Sequence, residues 1–295
     1  MNRIAAIPLH YLVAGALGAF VLGNTLVLLV QELAHPGVAL GFADKDFANY
    51  WTAGRLILEG RTADLFGPQP VYFAHLVEAF GADYPWHNWS YPPHYLLMVW
   101  PLGLFGYKAA MLLFLAVTGL FFAWAVRRFA GGGPLVWLAV LPFVAHNVWV
   151  AQNGFLFAGL GLGALALRAE RPVLAGIMLG VLTVKPQLGI LFPLLLLVER
   201  RWVAIASAAV TTLALVALSA AVFGVDAWRG YLSVVVPYQT LVMRELGGTF
   251  LTMMPSVYGS LRNWDWGADP ALAVHMLVAV PVVLATIAAL FLARR

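Results

Sequence analysis

Apolar residues arrive in this chain in runs so long that its solvent has to be lipid. Ile7 to Val30, residues 202 to 223 and residues 270 to 293 each match the roughly 20 residues that cross a hydrocarbon core. Further apolar stretches cover 94 to 126, 134 to 150, 154 to 167, 172 to 184 and 186 to 198. With 62% hydrophobic residues, 10% charged residues and a mean hydropathy of +0.87, a soluble globular fold is excluded. The fold class is therefore all-α, a polytopic membrane helix bundle, read as a single integral-membrane domain over 1–295. The 17 basic and 13 acidic residues are scattered as singles and pairs, which excludes nucleic acid as a partner. The absence of cysteine excludes disulfides, thiolate metal sites and cysteine nucleophiles.

Arginines set the orientation. The first run follows a lone Arg3 and lacks a small-residue cleavage site, so it reads as a retained helix with a cytoplasmic start. Arg127 and Arg128, Arg168 and Arg171, Arg200 and Arg201, and Arg294 and Arg295 all stand at span ends and belong on the cytoplasmic side. The loop at about 33–93, the Gln152-Asn153 turn, the Lys185-Pro186-Gln187 break and the loop at about 224–269 then share the exoplasmic face. The runs flanking Lys185-Pro186 are each too short to cross alone and read as half-membrane helices. Residues 94 to 126 read as one crossing plus a re-entrant half.

Within the first loop, Phe47, Tyr50, Trp51, Gly54 and Leu58 share one face of a helix, and Lys45, Asn49, Thr52 and Glu59 the other. This pattern predicts a helix lying flat on the membrane surface, with Asp44 as its N-cap and Asp46 in its first turn. Asp46 would then stand where a lipid-linked head group meets water. Lys185, flanked by apolar residues on both sides, is expensive at membrane depth and calls for an anionic partner. Pro186 breaks the helix beside it and leaves Gln187 free to face a cavity. Gln152 and Asn153 have the chemistry to hold a sugar, and equally to cap two helix ends. Arg55 and Arg61 are further cations for phosphate or lipid head groups. His87 and His94 lie near the aromatic stretch Tyr84 to Tyr91 but lack a third ligand at metal spacing, so they read as structural and no metal is indicated.

Taken in order, Asp46-Phe47, Tyr50-Trp51, Ala53-Gly54-Arg55, Leu58-Glu59-Gly60, Tyr91-Pro92-Pro93, Gln152-Asn153 and Ala175-Gly176 through Lys185-Pro186-Gln187 to Arg200-Arg201-Trp202 resemble glycosyltransferase family 87. The resemblance covers about residues 8 to 202. It implies a bundle of GT-C type with a long exoplasmic first loop bearing interfacial helices, in a bacterial inner membrane that the chain crosses several times. It implies a hexose, by family mannose, moved from a polyprenyl-phosphate donor to a lipid or glycan acceptor, with membrane lipids as surroundings and no cofactor. Carried over residue by residue, its loop aspartate falls on Asp46, its tyrosine-proline-proline on Tyr91 to Pro93, its glutamine before the next span on Gln152 and its lysine-proline on Lys185 and Pro186; joined to the residue reading, this makes Asp46 the catalytic base, and Lys185, Gln152, Asn153, Tyr50, Arg55, Tyr91 and Gln187 the substrate-binding residues. The chain departs from the family pattern in being shorter than most members, ending after one final span, and in carrying Ala151 where glycine is usual. Two readings compete with the enzyme. A transporter would also place a lysine at a helix break, though its charges would be spread over several spans; an inactive structural relative would keep the fold alone.

The arginine distribution makes the topology testable. A cysteine introduced at Asp64 is expected to be labelled by an impermeant thiol reagent from the exoplasmic side, and one at Ala130 or Ala169 only from the cytoplasm. Labelling of residue 64 from the cytoplasm would invert the scheme.

Overall fold

The computed structural model describes residues 9–34, 46–245, 251, 254 and 256–293. Among them every regular element is helical, and the chain forms an all-α membrane helix bundle. Three helices are long and apolar enough to cross a membrane: α4 (Tyr107–Ala130), α9 (Trp202–Phe223) and α12 (Ala268–Ala293, apolar through Leu292). The remaining long elements are α1 (Leu9–Ala34), α5 (Pro134–Val150), α6 (Gly154–Leu167) and α7 (Pro172–Leu182). The first loop carries α2 (Phe47–Leu58) and α3 (Gln69–Phe80). Shorter helices include α8 (Phe192–Val198), α10 (Val236–Glu245) and α11 (Val257–Asn263).

Residues 94 to 126 divide at Gly106. Short helical turns between Pro93 and Leu104 come first, followed by the single helix α4, which ends on Arg127 and Arg128 with Gly131 in the left-handed region at φ 81°. The Lys185 break is equally local. Proline disfavours helical geometry in the residue before it, and Lys185 accordingly takes φ −125° and ψ 77° between α7 and the short turn Pro186–Gly189. The stretch at 224–269, read from sequence as a loop, contains a helical turn at Val225–Gly230 and a π turn at Tyr231–Val235 running into α10, then α11.

Small residues bring the long helices together. A Cβ on Gly176 would lie 2.4 Å from the Ala204 carbonyl oxygen, and one on Gly180 would lie 2.5 Å from Thr211 Cβ, so α7 and α9 cross at backbone contact. The four-residue spacing of these glycines is the close-packing pattern of membrane helices. Gly159 and Gly163 of α6 likewise receive Phe121 and Trp124 of α4. Large apolar side chains such as Leu213 of α9 and Leu277 of α12 point outward, as lipid-facing residues do.

The assignment of faces on α2 is corrected. Asn49 and Thr52, on the face expected to meet water, are buried, and Leu58, on the apolar face, is exposed. The reason is α3, whose Tyr72 hydroxyl donates to Asn49 Oδ1 at 2.8 Å and covers that side. Periodicity marks a polar face but cannot tell water from a buried hydrogen-bond partner. The N-cap assignment also changes: the residue before Phe47 at the cap position is Asp46, and its side chain makes no capping bond. Asp44 and Lys45 lie outside the described residues.

α2 is held closest at Gly54, where an added Cβ would be 2.7 Å from the Gly103 nitrogen and 2.8 Å from the Val99 oxygen. Both obstacles are backbone and cannot rotate away. Gly54→Ala is expected to lower stability in detergent by about 1–3 kcal/mol as an overpacked contact, read as a drop in melting temperature. Gly23→Ala in α1, where a Cβ meets nothing within 4 Å, is expected to cause no loss.

Candidate functional site

The site is built on a left-handed turn. α5 ends at Ala151, which adopts φ 48° and ψ 45° and is buried, and α6 begins at Gly154. That conformation favours glycine, which accounts for the glycine usual at this position in the resembling family. Between the two helices stand Gln152 and Asn153, two adjacent side chains aimed at opposite charges.

Gln152 Nε2 donates to Asp46 Oδ2. The Asp46 carboxylate, unused as a cap, thus turns from its own helix toward a turn 106 residues away in sequence. Its other oxygen, Oδ1, lies 3.8 Å from His87 Nε2. The carboxylate is 32% exposed, open enough for a ligand to reach.

Asn153 is fully buried and uses its whole amide. Its Oδ1 accepts from Lys185 Nζ at 2.8 Å, and its Nδ2 donates to the hydroxyls of Tyr91 at 3.0 Å and Tyr95 at 3.2 Å. The Lys185 ammonium also lies 5.4 Å from the Tyr91 ring centroid and 5.3 Å from that of Phe157, within cation–π range. Among the described residues no carboxylate pairs with it, so its charge is oriented by neutral partners and remains uncompensated.

Tyr91 links the halves of the site. Its hydroxyl is 3.0 Å from that of Tyr50, one helical turn after Asp46, and the two rings meet edge to face. Burial, followed by the neighbouring Tyr91, Tyr95 and Asp46, raises the Tyr50 hydroxyl well above the usual phenol range, so it serves as a neutral hydrogen-bonding group. Asp46, Tyr50, Tyr91, Gln152, Asn153 and Lys185, named from sequence, therefore converge.

Arg55 and Gln187 do not join them. Arg55 is exposed, pairs with Glu59 at 2.8 Å and lies over the Trp51 ring, because it falls more than two turns along α2 from Asp46. Gln187 is exposed, because the proline before it starts a new helical turn that carries it away from the Lys185 side chain. Arg61 is engaged with Asp64 and His75 at 3.2 Å each. His94 packs as a structural residue: its ring stacks on Trp228 at 5.6 Å, and burial lowers its pKa to about 4. His87, read from sequence as structural, lies beside Asp46, a proximity that the sequence does not indicate. Its only signal is membership in the aromatic stretch leading back to Tyr91, and nothing in the spacing indicates that the stretch folds over Asp46.

Chemically, the site offers an accessible carboxylate and an uncompensated ammonium held by consecutive residues of one turn. Among the described residues no group of three or more His, Asp or Glu side chains is arranged to hold a metal ion. The family model of glycosyltransferase family 87 matches residues 89–295. The match includes Tyr91, Gln152, Asn153 and Lys185 and leaves Asp46 and Tyr50 outside it. No curated protein and no solved structure matches the chain.

The amide of Asn153 is the most heavily used polar group in the site. Asn153→Leu leaves the Lys185, Tyr91 and Tyr95 donors or acceptors without their partner, and is expected to cost about 2–4 kcal/mol in detergent unfolding. Gln187→Leu is expected to leave the melting temperature unchanged.

Proposed function

The chain belongs to glycosyltransferase family 87, and from that premise we propose that it moves a hexose, mannose by family, from a polyprenyl-phosphate donor to a lipid or glycan acceptor on the exoplasmic face. We read it as a GT-C type, multi-pass enzyme of a bacterial inner membrane. The observation that carries this reading is the pairing of charges on one turn: Gln152 holds a carboxylate and Asn153 holds an ammonium.

A polyprenyl-phosphate sugar presents a phosphate at the membrane surface with the anomeric carbon on one side and the lipid on the other. Lys185 meets that phosphate as a point cation, and its uncompensated charge grows more favourable as the leaving group gains negative charge. Asp46 takes the proton of the acceptor hydroxyl as its oxygen attacks the anomeric carbon from the face opposite the phosphate, inverting the configuration. Tyr50 and Tyr91 connect the Asp46 helix to the Lys185 ammonium, and the sugar binds beside them. Gln152 occupies Asp46 Oδ2, which leaves Oδ1 as the oxygen that accepts the proton.

The test is purified protein with a radiolabelled polyprenyl-phosphate sugar and an extract of membrane glycolipids. Label is expected to pass to an acceptor; translocation of intact donor across a vesicle membrane would support a transporter instead. Asp46→Asn is expected to lower transfer by about a hundredfold or more with donor binding retained, because an amide cannot accept the proton. Lys185→Gln is expected to lose most donor binding, measured by calorimetry, and Lys185→Arg to keep part of it. Full transfer by Asp46→Asn would overturn the base assignment.

A further inference from the structure

His87 stands against the same carboxylate from the other side. Its Nδ1 is 3.0 Å from the Pro85 carbonyl oxygen, which can only accept, so the ring proton of the neutral imidazole resides on Nδ1. Nε2, left with its lone pair, lies 3.8 Å from Asp46 Oδ1. A lone pair and a carboxylate oxygen repel unless a proton lies between them. The arrangement is thus favourable when Asp46 or His87 carries one, and the gap closes to a hydrogen bond at that moment. His87 is 23% exposed, so its ring is reached by solvent. Asp46 and Tyr84, whose ring centroid is 5.4 Å away, are the ionisable groups against it among the described residues.

We propose that His87 positions Asp46 Oδ1 and carries its proton away to water, so that the base is regenerated after each transfer. This rests on Asp46 being the base. In the transfer the acceptor oxygen forms a bond to the anomeric carbon as the bond from that carbon to the phosphate oxygen breaks, its electrons leaving with polyprenyl phosphate. The acceptor O–H proton passes to Asp46 Oδ1. With Oδ2 occupied by the Gln152 amide, the outlet for that proton is His87 Nε2, which becomes imidazolium and releases it to water. One proton reaches the aqueous phase per sugar transferred, and no redox partner or further reactant is needed.

The test compares His87→Ala and His87→Gln with the native enzyme and with Asp46→Asn. Both His87 variants are expected to keep donor affinity and melting temperature and to lose about tenfold to a hundredfold in kcat, within the range of acid–base effects. Added imidazole is expected to restore much of the kcat of His87→Ala and none of that of Asp46→Asn. The acid limb of the native kcat profile is expected to contain an ionisation that His87→Gln lacks. Undiminished kcat in both His87 variants overturns the proposal, as does a loss in His87→Ala that imidazole does not repair. If Asp46→Asn is itself active, the reading of the site fails and His87 with it; if Asp46→Asn is inactive while the His87 variants turn over normally, only the role of His87 falls.

Discussion

An ammonium group placed in an apolar bundle must be solvated by something, and here a single amide supplies most of that solvation. Asn153 gives its oxygen to Lys185 and its nitrogen to two tyrosines, while its neighbour Gln152 gives its nitrogen to Asp46. Had a carboxylate solvated the lysine, the pair would have been self-satisfied and of little use to a phosphate. Neutral partners fix the direction of the charge without cancelling it. The arrangement is built on the αL turn at Ala151, which joins α5 to α6 and presents Gln152 and Asn153 to different elements.

The remaining helices bring the partners to that turn. Lys185 reaches it because α7 stops at the Pro186 break, and α7 is held by the glycine contacts that seat it on α9. Asp46 and Tyr50 reach it because α2 is pressed against the turn at Trp100–Leu104 through Gly54 and Gly103, and because Tyr72 and Gln69 of α3 tie down Asn49 and the Trp89 backbone. The Trp89 tie also explains the position of Tyr91 two residues later. Glycine at the tight crossings and buried amides in the loop thus act at a distance on the spacing between carboxylate and ammonium.

Much of this is legible in the amino-acid order itself. The Lys185-Pro186 break, the Gln152-Asn153 turn and the all-helical membrane bundle follow from hydropathy, proline geometry and the cost of a charge in lipid, which are local or nearly local effects. The failures share a different cause. Asn49 reads as solvent-facing because a buried hydrogen bond from Tyr72 leaves no periodic trace, and Thr52 is buried on the same face. Arg55 and Gln187 carry the right chemistry but point along directions set by helix phase and by a new helical turn, so neither reaches the cluster. The approach of His87 to Asp46 escapes a sequence reading because it is a long-range contact fixed by how the aromatic stretch folds back.

On the proposed reaction, with Lys185 as the cation and Asp46 as the base, the geometry also separates two demands that the transfer would make at once. The cation has to be strongest when the leaving phosphate is most negative, which favours a dry, low-dielectric surround, and Lys185 sits among Tyr91, Phe157 and a fully buried amide. The base has to exchange its proton with water between turnovers, which favours exposure, and Asp46 and His87 are both part-exposed. Residues 152 and 153 lie across that gradient, one side chain reaching toward the wet half and the next into the dry half. A peptide bond fixes their separation at about 3.8 Å between Cα atoms, so the side chains that hold the carboxylate and the ammonium share one rigid backbone link.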